Sequence, residues 1–140
     1  LLKVDIRKTM LFNPKESVDF EGDTGPYLLY SYARASSILR KSSSILKKFE
    51  VNEINDNEIN LAKKISQFPH AVSSAYKNLN PAVIAGYAFQ LAQTFNEFYQ
   101  NCKVIGSEEE TFRLALVESF RQTLKNALNL LGIDDVLEEM

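Results

Sequence analysis

The residues with the clearest chemical potential lie on one side of a predicted helix. Over residues 27–48, a period of about 100° per residue brings five side chains to within about 60° of one another; these are Tyr27, Tyr30, Arg34, Lys41 and Lys48. Aromatic rings stack on unpaired bases and cations neutralise phosphates, so this face suits a single-stranded RNA loop. The alternative is a solvated face with two tyrosines that pack on a neighbour, since exposed tyrosine and lysine are common. The wheel by itself leaves both interpretations open.

The charge pattern singles out the same segment. Residues 27–48 contain only basic charges, namely Arg34, Arg40, Lys41, Lys47 and Lys48, whereas residues 50–58 contain only acidic ones. The net charge of the chain is −2. Because non-specific binding to nucleic acid scales with the number of phosphates neutralised, this net charge argues against a grip by the whole surface. The sequence instead predicts a local basic patch on a mildly acidic protein.

Other candidate chemistry is weak, and we expect no catalytic residue, no metal site and no cofactor in this chain. His70 is the sole histidine and Cys102 the sole cysteine, so a triad, a zinc cluster and an internal disulfide are excluded. Glu108, Glu109 and Glu110 are more simply explained as acidic residues at the N-terminus of a helix, where the positive end of the dipole stabilises them. No apolar run approaches the roughly 18 residues that span a bilayer. A cytoplasmic, monomeric fragment of a longer chain is the expectation.

Start and stop signals divide the chain into helices. We predict a short segment from Asn13-Pro14 to Phe20, long helices over residues 27–48, 55–78, 80–102 and 107–131, and at most a short strand at Thr9 to Phe12. Asn55 with Glu58 forms a capping box, and Pro69 kinks or splits the helix that follows. Ser107 with Glu110 caps the last helix, which Gly132 stops.

Apolar stripes follow the same helices and indicate an all-α bundle of about four long helices. The core stripe of the first helix is Leu28, Tyr32, Leu39 and Leu46. The stripe of the third long helix is Ile84, Ala88, Leu91, Phe95, Phe98 and Cys102. The stripe of the last helix is Phe112, Leu116, Phe120, Leu124, Ala127 and Leu131.

Three blocks of sequence resemble one family. The run from Phe20 to Arg34, centred on Gly25-Pro26-Tyr27 and continued by residues 37–41, resembles the signature that opens the anticodon-binding domain of arginyl-tRNA synthetases. The block 88–102, with Phe95-Asn96-Glu97-Phe98-Tyr99, is similar to the third helix of that domain, and residues 113–133 are similar to its last helix. The family's chain typically ends soon afterwards in Met, as here at Met140.

The resemblance implies a C-terminal, DALR-type domain that holds the anticodon stem and loop of arginine tRNA. It implies that Tyr27, Tyr30 and Arg34 contact the anticodon loop, and the wheel adds Lys41 as a phosphate contact. Three further residues belong to the same neighbourhood by resemblance: Phe95, Tyr99 and Met140. Phe95 also lies on the apolar stripe, which favours a core role, and Tyr99 is about 40° away from it on the wheel. Glu139 replaces the Arg that many relatives have before the final Met.

The resemblance also implies what lies elsewhere. A class I synthetase needs a His-x-Gly-His element and a Lys-Met-Ser-Lys loop, and neither is present. ATP with magnesium and arginine therefore belong to a catalytic domain upstream, which is the second expected partner besides arginine tRNA. Residues 1–22 are predicted to be the connection from that domain, and residues 23–140 the DALR-type domain. The alternatives are a DALR-type domain of another class I synthetase and a helical protein-interaction module that does not bind RNA.

Overall fold

Helices account for the regular structure of the described chain. The structure, a computed structural model, describes residues 25–42, 51 and 53–134. These residues form five helices and no strand: α1 (Gly25–Lys41), α2 (Asp56–Ser66), α3 (Phe68–Asn78), α4 (Ala82–Asn101) and α5 (Glu110–Leu130). The predicted all-α fold is confirmed. The segment 13–20, the strand at 9–12 and residues 43–48 of the first predicted helix lie outside the described residues.

The second predicted helix begins as the sequence indicates and is split in two. The side chain of Asn55 accepts from the backbone N–H of Glu58 at 3.1 Å, and the Glu58 carboxylate accepts from the N–H of Asn55 at 2.8 Å. The capping box is therefore confirmed. Pro69 lies in the first turn of α3, where its missing N–H costs nothing, and α2 ends before it at Ser66.

For the last helix, the predicted N-terminal cap is wrong and the predicted C-terminal stop is confirmed. The Ser107 hydroxyl donates back to the carbonyl of Val104, and α5 begins at Glu110 without a side-chain cap. At the other end, Gly132 has a positive φ of 77°, and the N–H of Ile133 donates to the carbonyl of Leu128 at 3.0 Å. This backbone pattern is a Schellman motif, which needs a residue that tolerates the left-handed region.

Helix α4 is the centre of the bundle, since it packs against each of the other four helices. Its predicted stripe is buried, and Ala88, Leu91, Phe95 and Phe98 are completely buried. The Phe95 ring stacks on that of Phe120 in α5, with centroids 3.9 Å apart. Helix α1 lies against both α4 and α5, so its buried face is wider than the predicted stripe and includes Ala35 and Ile38. Of that stripe, Leu39 is only partly buried, and residue 46 is outside the described ranges.

A buried ion pair joins three parts of the fold. The Glu58 side chain at the start of α2 is 1% exposed, and its Oε1 accepts from Arg113 Nε of α5 at 2.6 Å. Arg113 Nη1 also donates to the backbone carbonyl of Lys103 at 2.7 Å. One guanidinium thereby links α2, α5 and the segment that follows α4. None of the helices in the described ranges is long and apolar enough to cross a membrane.

Candidate nucleic-acid interface

A groove of about 770 Å³ runs between α1 and the end of α4 with the segment after it. Two tyrosines, Tyr30 and Tyr99, lie in its lining and are 44% and 42% exposed. The lining also contains the basic residues Arg34, Arg40, Lys41 and Lys103, and none of the described residues that line it is acidic. A groove whose described lining has rings and cations but no carboxylate is suited to a ligand that combines flat bases with phosphates.

Arg34 lies at the centre of the aromatic part of this groove. Its guanidinium carbon is 4.6 Å from the ring centroid of Tyr30 and 5.0 Å from that of Tyr99. Both distances are within the range of a cation–π interaction. Its Nη1 donates to Oδ1 of Asn96 at 2.6 Å. A guanidinium has five N–H donors, so this bond leaves capacity for a phosphate or a base edge.

Asn96 connects α4 to α1 through three hydrogen bonds. Besides accepting from Arg34, its Nδ2 donates to the Tyr27 hydroxyl at 2.9 Å and to the Ser31 hydroxyl at 3.0 Å. Its side chain is buried, with 9% of the residue exposed. Sequence reasoning did not select Asn96, because a polar residue about 100° from the apolar stripe of its helix reads as solvated. The only signal was its place in the block that resembles the synthetase family.

Tyr30, Arg34, Lys41 and Tyr99, four of the predicted site residues, meet at this groove. Lys41 is exposed at the C-terminal end of α1. Tyr99 comes from α4, 65 positions along the chain from Arg34, and only the packing of α1 on α4 brings the two together. Two further groove cations, Arg40 and Lys103, were not among the predicted site residues.

Tyr27 lies differently from the prediction. It does not share the open face with Tyr30, because its ring is partly buried and its centroid is 5.3 Å from that of Phe89 in α4. The helical wheel correctly separates Tyr27 from the Leu28 stripe, but α4 covers that second side of α1. Tyr27 therefore contributes mainly its hydroxyl, which anchors Asn96.

Phe95 is a core residue, as its place on the apolar stripe predicts. It is completely buried, and Tyr99 lies on its outer side with the two centroids 6.4 Å apart and the rings inclined by 23°. Phe95 is therefore not exposed in this structure, and its place near the anticodon loop, which the resemblance implies, stays a prediction. Met140 and Lys48 lie outside the described residues.

A second hollow, of about 530 Å³, has the opposite character. Glutamates line it around Arg113, namely Glu53, Glu58, Glu108 and Glu109. Among the described residues, no group of three or more His, Cys, Asp or Glu is placed to hold a metal ion. His70 is exposed, and the buried Cys102 thiol lies 3.4 Å from Nδ2 of Asn55.

Comparison with known proteins assigns the fold to a family. The family described as the DALR anticodon-binding domain matches residues 28–140. This chain belongs to that family. The match covers the groove residues from Tyr30 to Ile105, whereas Tyr27 immediately precedes it.

Known relatives of this DALR domain are parts of much longer proteins. The chain is 42% identical over 137 residues to an arginine–tRNA ligase from Flavobacterium psychrophilum, a match that covers 96% of this chain and 23% of the relative. An arginine–tRNA ligase from Clostridium botulinum is 41% identical and is matched over 99% of this chain and 25% of its own. The domain thus spans about a quarter of these relatives.

Solved structures of two synthetases contain a domain with the same fold. The arginyl-tRNA synthetase of Thermus thermophilus superposes with a TM-score of 0.84 at 35% identity, and that of Plasmodium falciparum with a TM-score of 0.90 at 33% identity. Each alignment covers 99% of this chain and 25% of the synthetase.

Proposed function

We propose that this DALR domain binds the anticodon stem and loop of arginine tRNA. The observation that carries the proposal is the groove in which Arg34 lies against the exposed rings of Tyr30 and Tyr99, with cations and no carboxylate among the described residues that line it. The names of the relatives supply the choice of tRNA, since they are arginine–tRNA ligases and arginyl-tRNA synthetases.

Binding would use two kinds of contact. Bases that leave the anticodon stack would lie on the rings of Tyr30 and Tyr99, because stacking accepts any base. Arg34, Lys41 and Lys103 would neutralise phosphates, and hydrogen bonds to base edges would supply sequence specificity. Arg34 is suited to either role, since its fork of donors matches a phosphate as well as a base edge.

In the proposed parent enzyme, the domain positions tRNA rather than performing chemistry. A catalytic domain in the remaining three quarters would bind ATP with magnesium and attach arginine at the distant acceptor end, in the cytoplasm. Within this proposal, residues 1–22 form the connection, residues 23–140 form the anticodon-binding domain, and the parent enzyme is a monomer.

A titration with two RNAs tests the proposal. The 140-residue chain should bind arginine tRNA more tightly than an unrelated tRNA, and Arg34→Ala should weaken binding. If Arg34 contacts phosphate, the variant loses affinity for both RNAs equally, and the log K against log salt slope falls by about one unit at most. If Arg34 reads a base, the loss is about 1–3 kcal/mol for arginine tRNA and the discrimination shrinks. Because phosphate and sugar contacts form the majority in surveyed protein–DNA interfaces, we expect the first result by analogy.

Lys77→Ala is the control, since Lys77 is an exposed cation of α3 outside the groove. It should change affinity and salt slope less than Arg34→Ala does. Equal weak binding of both tRNAs by the folded wild-type chain, or an Arg34→Ala variant indistinguishable from it, would contradict the proposal and favour a protein-interaction module.

A further inference from the structure

The amide of Asn96 has a fixed orientation, which follows from the chemistry of its neighbours. A guanidinium can only donate, so the atom that faces Arg34 Nη1 at 2.6 Å must be the acceptor Oδ1. Nδ2 then faces the hydroxyls of Tyr27 and Ser31 and donates to both. In this orientation Oδ1 faces a donor and Nδ2 faces two acceptors, so all three hydrogen bonds can form.

The anchor of this amide is itself held in place. The Ser31 hydroxyl accepts from Asn96 and donates to the backbone carbonyl of Tyr27 at 2.9 Å. Ser31 is completely buried, and the ring of Tyr27 packs against Phe89. The amide therefore has little freedom, and its Oδ1 stays at one place beside the Arg34 guanidinium.

Arg34 gains most from this arrangement. An arginine side chain has many rotamers and loses that conformational entropy when it is immobilised. Two ring contacts and one short hydrogen bond hold this guanidinium before any ligand arrives. Preorganisation of this kind lowers the entropy lost on binding, and the neutral amide does so without cancelling the positive charge.

We propose that Asn96 is a positioning residue for RNA binding: it holds the Arg34 guanidinium against the rings of Tyr30 and Tyr99 while leaving its charge available to the RNA. This inference rests on the proposed function, because the groove must bind RNA for the position of Arg34 to matter. Asn96 acts through Arg34 and need not touch the ligand.

A double-mutant cycle tests the positioning role. Asn96→Ala, Arg34→Ala and the double variant are titrated with arginine tRNA, alongside the wild-type chain, at several salt concentrations. Residues in one hydrogen-bond network couple strongly, so we expect Asn96→Ala to weaken binding about 5-fold or more in the wild-type chain and less than about 2-fold in the Arg34→Ala background. Asn101→Ala is the matched control, since Asn101 is an exposed asparagine of α4 whose side chain donates within its own helix, to the carbonyl of Glu97. It should leave affinity unchanged in both backgrounds.

Asn96→Asp provides an arm that does not depend on the alanine variant folding. Its carboxylate still accepts from Arg34 but neutralises it, so the salt slope should fall by up to about one unit although the bond is kept. A purely structural role predicts equal losses from Asn96→Ala in both backgrounds, and an Asn96→Asp slope equal to that of the wild type would show that the side chain of residue 96 does not face the Arg34 charge. Either result overturns the positioning role while Arg34→Ala still weakens binding. If the wild-type chain does not prefer arginine tRNA, the proposed function fails instead.

Discussion

Tyr30 tests the RNA-binding role of the groove at the scale of a single residue. Its ring is 44% exposed, lies in the groove and contacts Arg34, so truncating it removes a stacking surface without opening the core. Stacking of one base on an aromatic ring is worth about 1–3 kcal/mol by alanine substitution. We therefore expect Tyr30→Ala to weaken binding of arginine tRNA by roughly 5- to 150-fold, measured by titration at constant salt.

The matched control is Tyr76→Ala in α3. Tyr76 is 79% exposed and lies outside the groove, so the change removes the same side chain from a different surface. Its affinity should equal that of the wild-type chain, and circular dichroism should report unchanged helical content for both variants. Equal effects of the two substitutions would mean that Tyr30 is an incidental surface tyrosine.

At the scale of helices, the Glu58–Arg113 pair determines how α2, α5 and the segment after α4 meet. Removing Arg113 would leave the carboxylate of Glu58, which is 1% exposed, without its cationic partner, although it would still accept from the N–H of Asn55. Breaking a buried pair in this way costs about 3–5 kcal/mol. Arg113→Ala should lower the free energy of unfolding by about 3 kcal/mol or more in urea denaturation.

A second arginine on α5 supplies the comparison. Arg121 pairs with Glu118 at 3.0 Å, and both side chains are about a third exposed. Pairs that face solvent contribute about 0–1 kcal/mol, so Arg121→Ala should cost far less than Arg113→Ala. Similar losses of unfolding free energy from the two variants would show that the Glu58–Arg113 pair does not owe its contribution to stability to its burial.

At the scale of the whole molecule, stability should depend on alkaline pH through Tyr87. Its hydroxyl donates to the carbonyl of Lys64 at 2.9 Å, and burial raises the pKa of Tyr87 well above its usual value of 10.0. Above about pH 10 an unfolded chain releases this proton while the folded chain keeps it, so the folded state binds more protons and stability falls as pH rises. Below that pH the contribution is fully present.

Between pH 8 and 11, the free energy of unfolding should therefore fall more steeply with pH for the wild-type chain than for Tyr87→Phe. The variant should be less stable at neutral pH, by about 1 kcal/mol, because it lacks the hydrogen bond to Lys64. Parallel pH profiles for the two proteins would exclude Tyr87 as the source of the alkaline sensitivity.

Local signals in the sequence determined the helices and much of the candidate interface. Asn55 with Glu58, Pro69 and Gly132 act through backbone groups a few residues away, so their effects could be predicted without a fold. The face with Tyr30, Arg34 and Lys41 follows from helical period alone. Phe95 was likewise recognisable as core from its stripe.

Only the tertiary structure decided which polar residues that face would meet. Tyr99 and Asn96 reach Arg34 across more than 60 positions of chain because α4 packs against α1, and the same contact partly buries the Tyr27 ring. Burial of a helix face depends on the neighbour that covers it, and helical period within one segment carries no record of that neighbour. The helical wheel could therefore identify Arg34, whereas the role of the Asn96 amide depends on the packing of α4 against α1.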